Sequence, residues 1–235
     1  MITLRRSLER GHADHGWLQS YHSFSFADYF DSAHVQFGAL RVLNDDVVAA
    51  GKGFGMHGHR DMEILTYMLD GALEHKDSMG NGSVIRPGDV QRMSAGSGVR
   101  HSEFNPSATE AAHLLQIWLL PRQPGGAPSY EQRHFSTTER RGKLCLVAAG
   151  DKNATAPELV SIQQDAAIYA GLFDGDEVAT HVLGAGRRAY VHLARGAVTV
   201  NGQPLLTGDA LLAQDEPAIS IKYGAEAELL LFDLA

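Results

Sequence analysis

In a glycine-rich stretch of this chain, residues 51–105, five of the residues whose side chains can bind a metal lie in two closely spaced groups. In chain order they are His57, His59, Glu63, His101 and Glu103. Three imidazoles and one carboxylate would leave two positions of an octahedron open for water, substrate or dioxygen. Fe(II) suits such a set best, and Mn, Ni, Co, Cu or Zn are alternatives. The stretch therefore predicts a mononuclear metal site with open positions.

The spacing of these residues fits β-strands, on which neighbouring side chains point to opposite faces. His57 and His59 are two residues apart and would share one face of a strand. His101 and Glu103 would form a second pair of the same kind on a later strand. Glu63 has the same parity as His59, but it joins the set only if the strand continues unbroken. The fourth ligand is therefore Glu103 or Glu63, and Glu103 is favoured because a single step fixes its direction.

Turn-forming sequences divide the region between the two pairs into short strands. They are Asp70-Gly71, Gly80-Asn81-Gly82 and residues 86–89. Hairpins at these turns would fold the second pair back onto the first, inside a small β-barrel. A further turn is predicted at Asn44–Asp46, between two apolar runs.

Two motifs in this region resemble those of the cupin superfamily. The first is Gly51-x5-His57-x-His59-x3-Glu63-x7-Gly71, one residue longer than usual before its last glycine. The second is Gly88-x5-Ser94-x-Gly96-x4-His101-x3-Asn105, with serine where proline is usual and a longer step to the histidine. Together with the runs at residues 57–63 and 93–98, they are similar to the pirin family, most closely its short bacterial quercetinase-like members. The resemblance is strongest over about residues 1–130.

The resemblance implies an all-β bicupin, which is two jelly-roll β-sandwich barrels in one chain. We place an N-terminal metal-binding barrel at residues 1–134 and a C-terminal cupin-like barrel at residues 135–235. The boundary follows the run Pro121–Pro128, with three prolines and two glycines in eight residues. We expect at most one or two short helices.

The second half repeats the turn pattern of the first half without its histidines. When Gly196 is set on Gly71, the places of His57 and His59 fall at Val182 and Gly184. The place of His101 falls at Ile221 when the two Gly-Asp turns are superposed. The C-terminal barrel is therefore predicted to keep the fold without a metal site. Its predicted strands are Arg188–Leu193, Ala197–Asn201, Ala218–Tyr223 and Glu228–Leu234.

The resemblance also implies an activity, the opening of the heterocycle of flavonols such as quercetin by O2 with release of CO. His57, His59, His101 and Glu103 would hold the metal, and Glu103 would take the proton of the flavonol 3-hydroxyl. If Glu63 is not a ligand, it would orient one of the ligand histidines without binding the metal itself. The alternative is a non-catalytic protein of the transcription-regulator type, in which iron senses redox state and a protein partner is bound.

Residues 11–34 are rich in histidine and aromatic residues, and in pirin-like proteins this segment leads into the first barrel. We expect it to help wall the pocket. His12 and His15 could form a second metal site, but scattered histidines beside glycine and aspartate are more typical of loops.

The composition excludes several classes of function. A net charge of −8 and a pI of about 5.8 argue against a nucleic-acid-binding surface and leave a protein partner open. The chain shows no dinucleotide fingerprint, so no organic cofactor is expected. The basic first residues are not followed by an apolar signal segment, and no run approaches the ~18 apolar residues of a membrane span. We therefore expect a cytoplasmic protein without a membrane partner.

Overall fold

A computed structural model describes residues 1–150 and 159–235, and nearly all regular structure in those residues is β. The strands of the first half are β1 Ile2–Arg5, β2 Gly11–Asp14, β3 Leu18–His22, β4 Leu40–Val48, β5 Gly53–His59, β6 Glu63–Asp70, β7 Leu73–Asp77, β8 Gly82–Ile85, β9 Asp89–Ser94, β10 Val99–Phe104, β11 Ala112–Leu119 and β12 Ser129–His134. Those of the second half are β13 Cys145–Ala149, β14 Val160–Ser161, β15 Ala166–Gly175, β16 Ala179–Val182, β17 Arg188–Val200, β18 Gln203–Leu206, β19 Ala210–Gln214 and β20 Ala218–Leu234. The helical turns are α1, Thr137–Arg140, and a 3-10 turn at Ser7–Glu9.

The chain folds into two compact units, and neither is one continuous segment. The first unit comprises Gly11–His134 and Val160–Gln164. The second comprises Met1–Arg10, Phe135–Leu159 and Asp165–Ala235. Two short segments therefore lie on the other side of the boundary expected at residue 134. Backbone pairing explains the first of them, because β1 adds to β19 as an antiparallel edge strand.

The first unit is built from two antiparallel sheets. One has the strand order β12-β9-β6-β11-β4-β3-β2, and the other has the order β5-β10-β7-β8. One apolar cluster joins them, since Met68 and Leu114 of the larger sheet pack with Leu73 and Ile85 of the smaller sheet. Each such side chain, fully removed from water, contributes roughly 1.5–3 kcal/mol. Packing of two inner faces in this way makes the unit a β-sandwich.

The predicted turns between the two ligand pairs are confirmed. Gly71 follows β6, the Gly80–Gly82 turn separates β7 from β8, and residues 86–89 separate β8 from β9. The turn predicted at Asn44–Asp46 is wrong, because these residues lie inside the continuous strand β4 and are buried. Asparagine and aspartate are typical of turns, which is why a turn was predicted. Here they belong to a strand that is paired on both sides.

The second unit is a sheet in the order β1-β19-β17-β20-β15-β13, with β18 beside β17 and β16 beside β20. Its longest strands each replace two predicted ones, Arg188–Val200 and Ala218–Leu234. Gly196 does not end a strand as Gly71 does; it lies in β17 at a positive φ of 75°, among shifts in register against β20. Such bulges bend a strand without ending it. The core of this unit is apolar and includes Phe173, Ile221 and Leu231.

The expectation of one or two short helices agrees with α1 and the 3-10 turn. Ser136 caps α1, because its hydroxyl accepts the Glu139 N–H while the Glu139 carboxylate accepts the Ser136 N–H. Among the described residues, no helix has the length and apolarity that crossing a membrane requires.

Candidate metal centre and its pocket

The three predicted histidine ligands meet where β5 pairs with β10. His101 lies directly opposite His57 in this antiparallel register, and His59 is two residues further along β5. The ring centroids are 4.7 Å apart for His57 and His59, 4.5 Å for His57 and His101, and 4.9 Å for His59 and His101. One ring nitrogen from each lies within 4.8 Å of the other two. Strand parity and register thus bring the three imidazoles together.

The surroundings keep the imidazoles of His59 and His101 neutral. Burial, followed by repulsion from His57, His59 and His75, lowers the pKa of His101 to about 2. Burial and then His57 lower the pKa of His59 to about 4. The neutral ring is the form that binds a metal, because its unprotonated nitrogen offers a lone pair.

The hydrogen bonds of His57 and His101 identify the ring nitrogen of each that is free to bind a metal. The Nδ1 atom of His57 lies 2.7 Å from the Gly55 carbonyl oxygen, which can only accept, so Nδ1 donates and Nε2 is left free. The Nε2 atom of His101 is buried and has no hydrogen-bond partner. A buried polar atom without a partner costs roughly 1–3 kcal/mol, and a divalent metal ion would satisfy it. The donor set therefore fits a transition metal.

Glu103 lies on β10 and is almost fully buried. Gln116 Nε2 donates to its Oε2 at 3.1 Å, and Thr66 Oγ1 donates to its Oε1 at 3.4 Å. Burial, and then the nearby charge of Asp46, raise the pKa of Glu103 to about 7. One of its oxygens falls within 4.8 Å of ligand nitrogens of both His75 and His101. The group formed by His57, His59 and His101 does not include Glu103 within that distance, and the role of Glu103 as the fourth ligand stays a prediction.

Glu63 makes hydrogen bonds elsewhere and does not belong to the histidine cluster. Strand β5 ends at His59, and Asp61 adopts a left-handed φ of 51° before β6 begins at Glu63. The Glu63 carboxylate accepts hydrogen bonds from Ser94 Oγ at 2.9 Å and from the backbone N–H of Gln163 at 3.0 Å. Since the strand is broken, the parity that linked Glu63 to His59 no longer applies. This arrangement favours Glu103 over Glu63 as a ligand.

A cavity of about 520 Å³ opens beside the histidines. Its walls are largely aromatic or apolar, and Trp118 makes edge-to-face contacts with Phe26 at 5.4 Å and with His59 at 5.0 Å. The aromatic-rich N-terminal segment supplies much of this wall. His12 and His15 line the pocket as well, and neither belongs to the histidine cluster.

One wall of the pocket is polar and was missed in the sequence. Strands β3 and β4 pair Ser20 with Asp46 and His22 with Asn44, and all four residues line the cavity. Ser20 Oγ donates to Asp46 Oδ1, and His22 Nδ1 contacts Asn44 Oδ1 at 2.9 Å. Asn44 and Asp46 have the same parity, which could have marked a polar strand face had the run not resembled a turn.

Asp46 should make the metal-free protein sensitive to pH. Burial first, and Asp45 to a smaller extent, raise its pKa from 3.8 to about 7, although the Ser20 hydrogen bond opposes the shift. The folded state thus keeps this proton longer than the unfolded state, so stability is lost as the pH rises from about 4 through 7.

We expect Asp46→Asn to make the thermal midpoint of the metal-free protein fall less, or rise more, between pH 5 and pH 8 than that of the wild type. Differential scanning calorimetry over this range measures it. Asp89→Asn, at another buried aspartate of the first unit, is measured alongside as the control for loss of a buried carboxylate. An unchanged slope in Asp46→Asn would contradict the prediction.

Two β-rich units, the first with a histidine cluster between paired strands at the edge of an aromatic pocket, define a bicupin with a candidate metal centre. Residues 2–119 match the family model "Pirin", and residues 146–234 match the model "Quercetinase C-terminal cupin domain". The chain belongs to the pirin family. The predicted family and the all-β bicupin fold are therefore confirmed.

Relatives of known name match along the whole chain. Quercetin 2,3-dioxygenase of Escherichia coli K12 is 48% identical over 234 residues, covering 100% of this chain and 99% of that protein. A pirin-like protein of Caulobacter vibrioides is 43% identical over 225 residues, covering 96% of each. The crystal structure of Escherichia coli YhhW superposes with a TM-score of 0.94 at 48% identity, covering 100% and 98% of the two chains. The bacterial pirin YhhW in complex with nickel(II) gives 0.92 at 49% identity, covering 100% and 99%.

Proposed function

We propose that this protein is a metal-dependent dioxygenase that opens the heterocycle of flavonols such as quercetin with O2 and releases CO. The observation that carries the proposal is the buried, unpaired Nε2 of His101, which belongs to a cluster of three imidazoles beside an aromatic pocket. The dioxygenase name of the 48% identical Escherichia coli relative supports the same reaction class.

His57, His59 and His101 would hold the metal, with Glu103 as the fourth ligand. When bound, the metal supplies Lewis acidity at the flavonol 3-oxygen and a template that orients the substrate. Fe(II) is favoured by the ligand set, while the nickel complex of the Escherichia coli relative supports Ni(II). We therefore propose one divalent transition metal per chain and leave the choice between these ions to a metal titration.

Glu103 would act as the general base. Glu103 lines the pocket, so its carboxylate can meet the hydroxyl group of a substrate bound there. Hydrogen bonds from Gln116 and Thr66 hold the two carboxylate oxygens in place. It can thus take the proton of the flavonol 3-hydroxyl and leave an electron-rich flavonolate for reaction with O2. Both oxygen atoms enter the products, so no separate electron donor is needed.

The pocket supplies the binding surface. A cavity of about 520 Å³ is in the range of small-molecule sites, and flat aromatic rings can stack or pack edge-on against Trp118 and Phe26. The polar wall of β3 and β4 offers hydrogen-bonding partners for phenolic hydroxyl groups. Aromatic walls also exclude water from the reacting face.

Loss of the flavonol absorption band in air, with CO collected from the headspace, tests the proposal. Apo-protein and protein loaded separately with Fe, Mn, Ni, Co or Cu are compared. We expect turnover with CO release only when metal is bound. Absence of turnover with every metal, despite one bound ion per chain, would favour the alternative of a redox-sensing protein with a protein partner. The open pocket beside the histidines favours catalysis over that alternative.

A further inference from the structure

Behind His101, on the side away from His57 and His59, lies a second buried histidine joined to a carboxylate. His75 and Asp77 both belong to β7, which pairs with β10. The side chains of both residues are completely shielded from solvent. His75 Nε2 lies 3.2 Å from Asp77 Oδ2, and His75 Nδ1 lies 3.5 Å from His101 Nδ1. A chain of contacts thus runs from Asp77 through His75 to His101.

The turn after β7 determines which way the protons lie in this chain. Asp77 Oδ1 accepts the backbone N–H groups of Met79 at 2.9 Å and Asn81 at 3.0 Å, and Oδ2 accepts Asn81 Nδ2 at 2.9 Å. A carboxylate surrounded by donors in this way is an acceptor on both oxygens. The remaining partner, Nε2 of His75, must therefore donate to it.

The tautomer of His101 follows from that of His75. In a neutral imidazole only one nitrogen carries a proton, so His75 Nδ1 holds a lone pair. Because that lone pair faces His101 Nδ1, His101 must carry its proton on Nδ1 to make the contact favourable. Its lone pair is then on Nε2, the buried atom that has no hydrogen-bond partner.

We propose that Asp77 and His75 are positioning residues for the metal site, which keep the proton of His101 on Nδ1 and its lone pair on Nε2. The inference rests on the proposed role of His101 as a metal ligand. Metal-binding histidines usually donate their second N–H to a partner that fixes the ring, and loss of that partner typically weakens metal binding about 10- to 100-fold. Here the partner is a neutral histidine, and an aspartate fixes its own tautomer in turn.

His75 could instead be a ligand, since its ring nitrogen, a nitrogen of His101 and an oxygen of Glu103 also fall within 4.8 Å of one another. The hydrogen bonding argues for the positioning role. With Nε2 committed to Asp77, the only free nitrogen of His75 is the Nδ1 that faces His101. The ring is also held from the other side by Tyr130, whose centroid lies 4.9 Å away.

Asp77→Asn is the sharpest test, because the amide oxygen can still accept the backbone N–H groups of Met79 and Asn81. The amide nitrogen then replaces Oδ2, which accepts from Asn81 Nδ2, and presents an N–H to His75. The proton order of the whole chain then reverses and moves the His101 proton onto Nε2. The 3.5 Å contact between the two rings is long for a hydrogen bond, so we expect an effect at the low end of the range, about tenfold weaker Ni(II) binding. His75→Phe keeps the buried ring and removes the acceptor, and a smaller loss is expected.

The matched control is Asp89→Asn. Asp89 likewise accepts a backbone N–H at a hairpin turn, from Arg86 at 2.9 Å, and contacts a histidine ring, His134 Nδ1, at 2.8 Å. Unlike His75, the His134 ring that Asp89 contacts makes no contact with the histidine cluster among those the structure describes. Ni(II) dissociation constants of the wild type and the three variants are measured by competition with a chromophoric chelator, with thermal unfolding of each metal-free protein to verify folding.

A second readout does not need metal. The ¹⁵N shifts of the His101 ring in the metal-free protein report which nitrogen carries the proton. We expect Nδ1–H in the wild type and in Asp89→Asn, and Nε2–H in Asp77→Asn. Wild-type protein with Nε2–H, unchanged Ni(II) affinity in Asp77→Asn, or a loss of metal in His75→Phe as complete as in His101→Ala would overturn the inference. If the wild type binds neither Ni(II) nor Fe(II), the proposed metal centre fails, and the ¹⁵N shifts still decide the tautomer.

Discussion

His101→Ala is expected to abolish stoichiometric metal binding. His101 is the most buried of the three imidazoles, with 1% of its surface exposed, and it supplies the nitrogen that has no other partner. Its removal takes away a ligand outright, so we expect binding to weaken by more than the roughly 100-fold that marks the loss of an outer partner. Turnover of flavonol should fall with the metal content.

Elemental analysis after metal loading and gel filtration measures this effect. His113→Gln is the control, because His113 also contacts a carboxylate, Asp45 Oδ1 at 2.6 Å, but stands outside the histidine cluster. It should retain one metal per chain. Full occupancy in folded His101→Ala would contradict the metal centre as proposed, and the thermal midpoint of the metal-free variant establishes whether it is folded.

Substitution of Glu63 and of Glu103, both of which are buried, should have two different effects, one on stability and one on metal binding and catalysis. We expect Glu103→Ala to lower metal content far more than Glu63→Ala, and Glu103→Gln to lower kcat by roughly 10²- to 10⁴-fold, as for loss of a general base. Glu63→Ala leaves Ser94 Oγ and the Gln163 N–H without their acceptor. Its expected cost is roughly 1–3 kcal/mol in the free energy of unfolding, with metal retained.

Elemental analysis, steady-state kinetics and urea unfolding distinguish these outcomes. Ser102→Ala is the control, because Ser102 lies on the same strand, between the predicted ligands His101 and Glu103. Equal metal losses in Glu103→Ala and Glu63→Ala, or a larger loss in Glu63→Ala, would reject Glu103 as the fourth ligand. A normal kcat in metal-loaded Glu103→Gln would reject its role as base.

The sequence predicted the parts of the site that depend on spacing alone. Parity on a strand is a local property, so His57 and His59 could be paired without knowledge of the fold, as could His101 and Glu103. Glu63 could not be placed in this way, because the left-handed backbone at Asp61 breaks the strand. An aspartate at that position does not by itself predict this conformation. The backbone there is decided by tertiary structure.

The polar wall escaped prediction for a related reason. Asn44 and Asp46 are typical of turns, and only pairing with β3 and β11 on both sides makes a buried strand of them. The long strands of the second unit were divided at Gly196 and after Tyr223, since glycine and polar residues normally end strands. Bulges allow these strands to continue, and bulges depend on the partner strand as much as on local sequence.

The chain order of the two units affects how the protein can be made in the cell. Strand β1 pairs with β19, which leaves the ribosome some 200 residues later, roughly 10–40 s at ordinary rates of synthesis. Glu63 receives its backbone donor only when residue 163 has been added. Both units therefore remain incomplete until the second half has been synthesised. We expect them to mature together after synthesis, and a nascent chain that stops at residue 134 to expose unpaired strand edges of the kind that recruit chaperones.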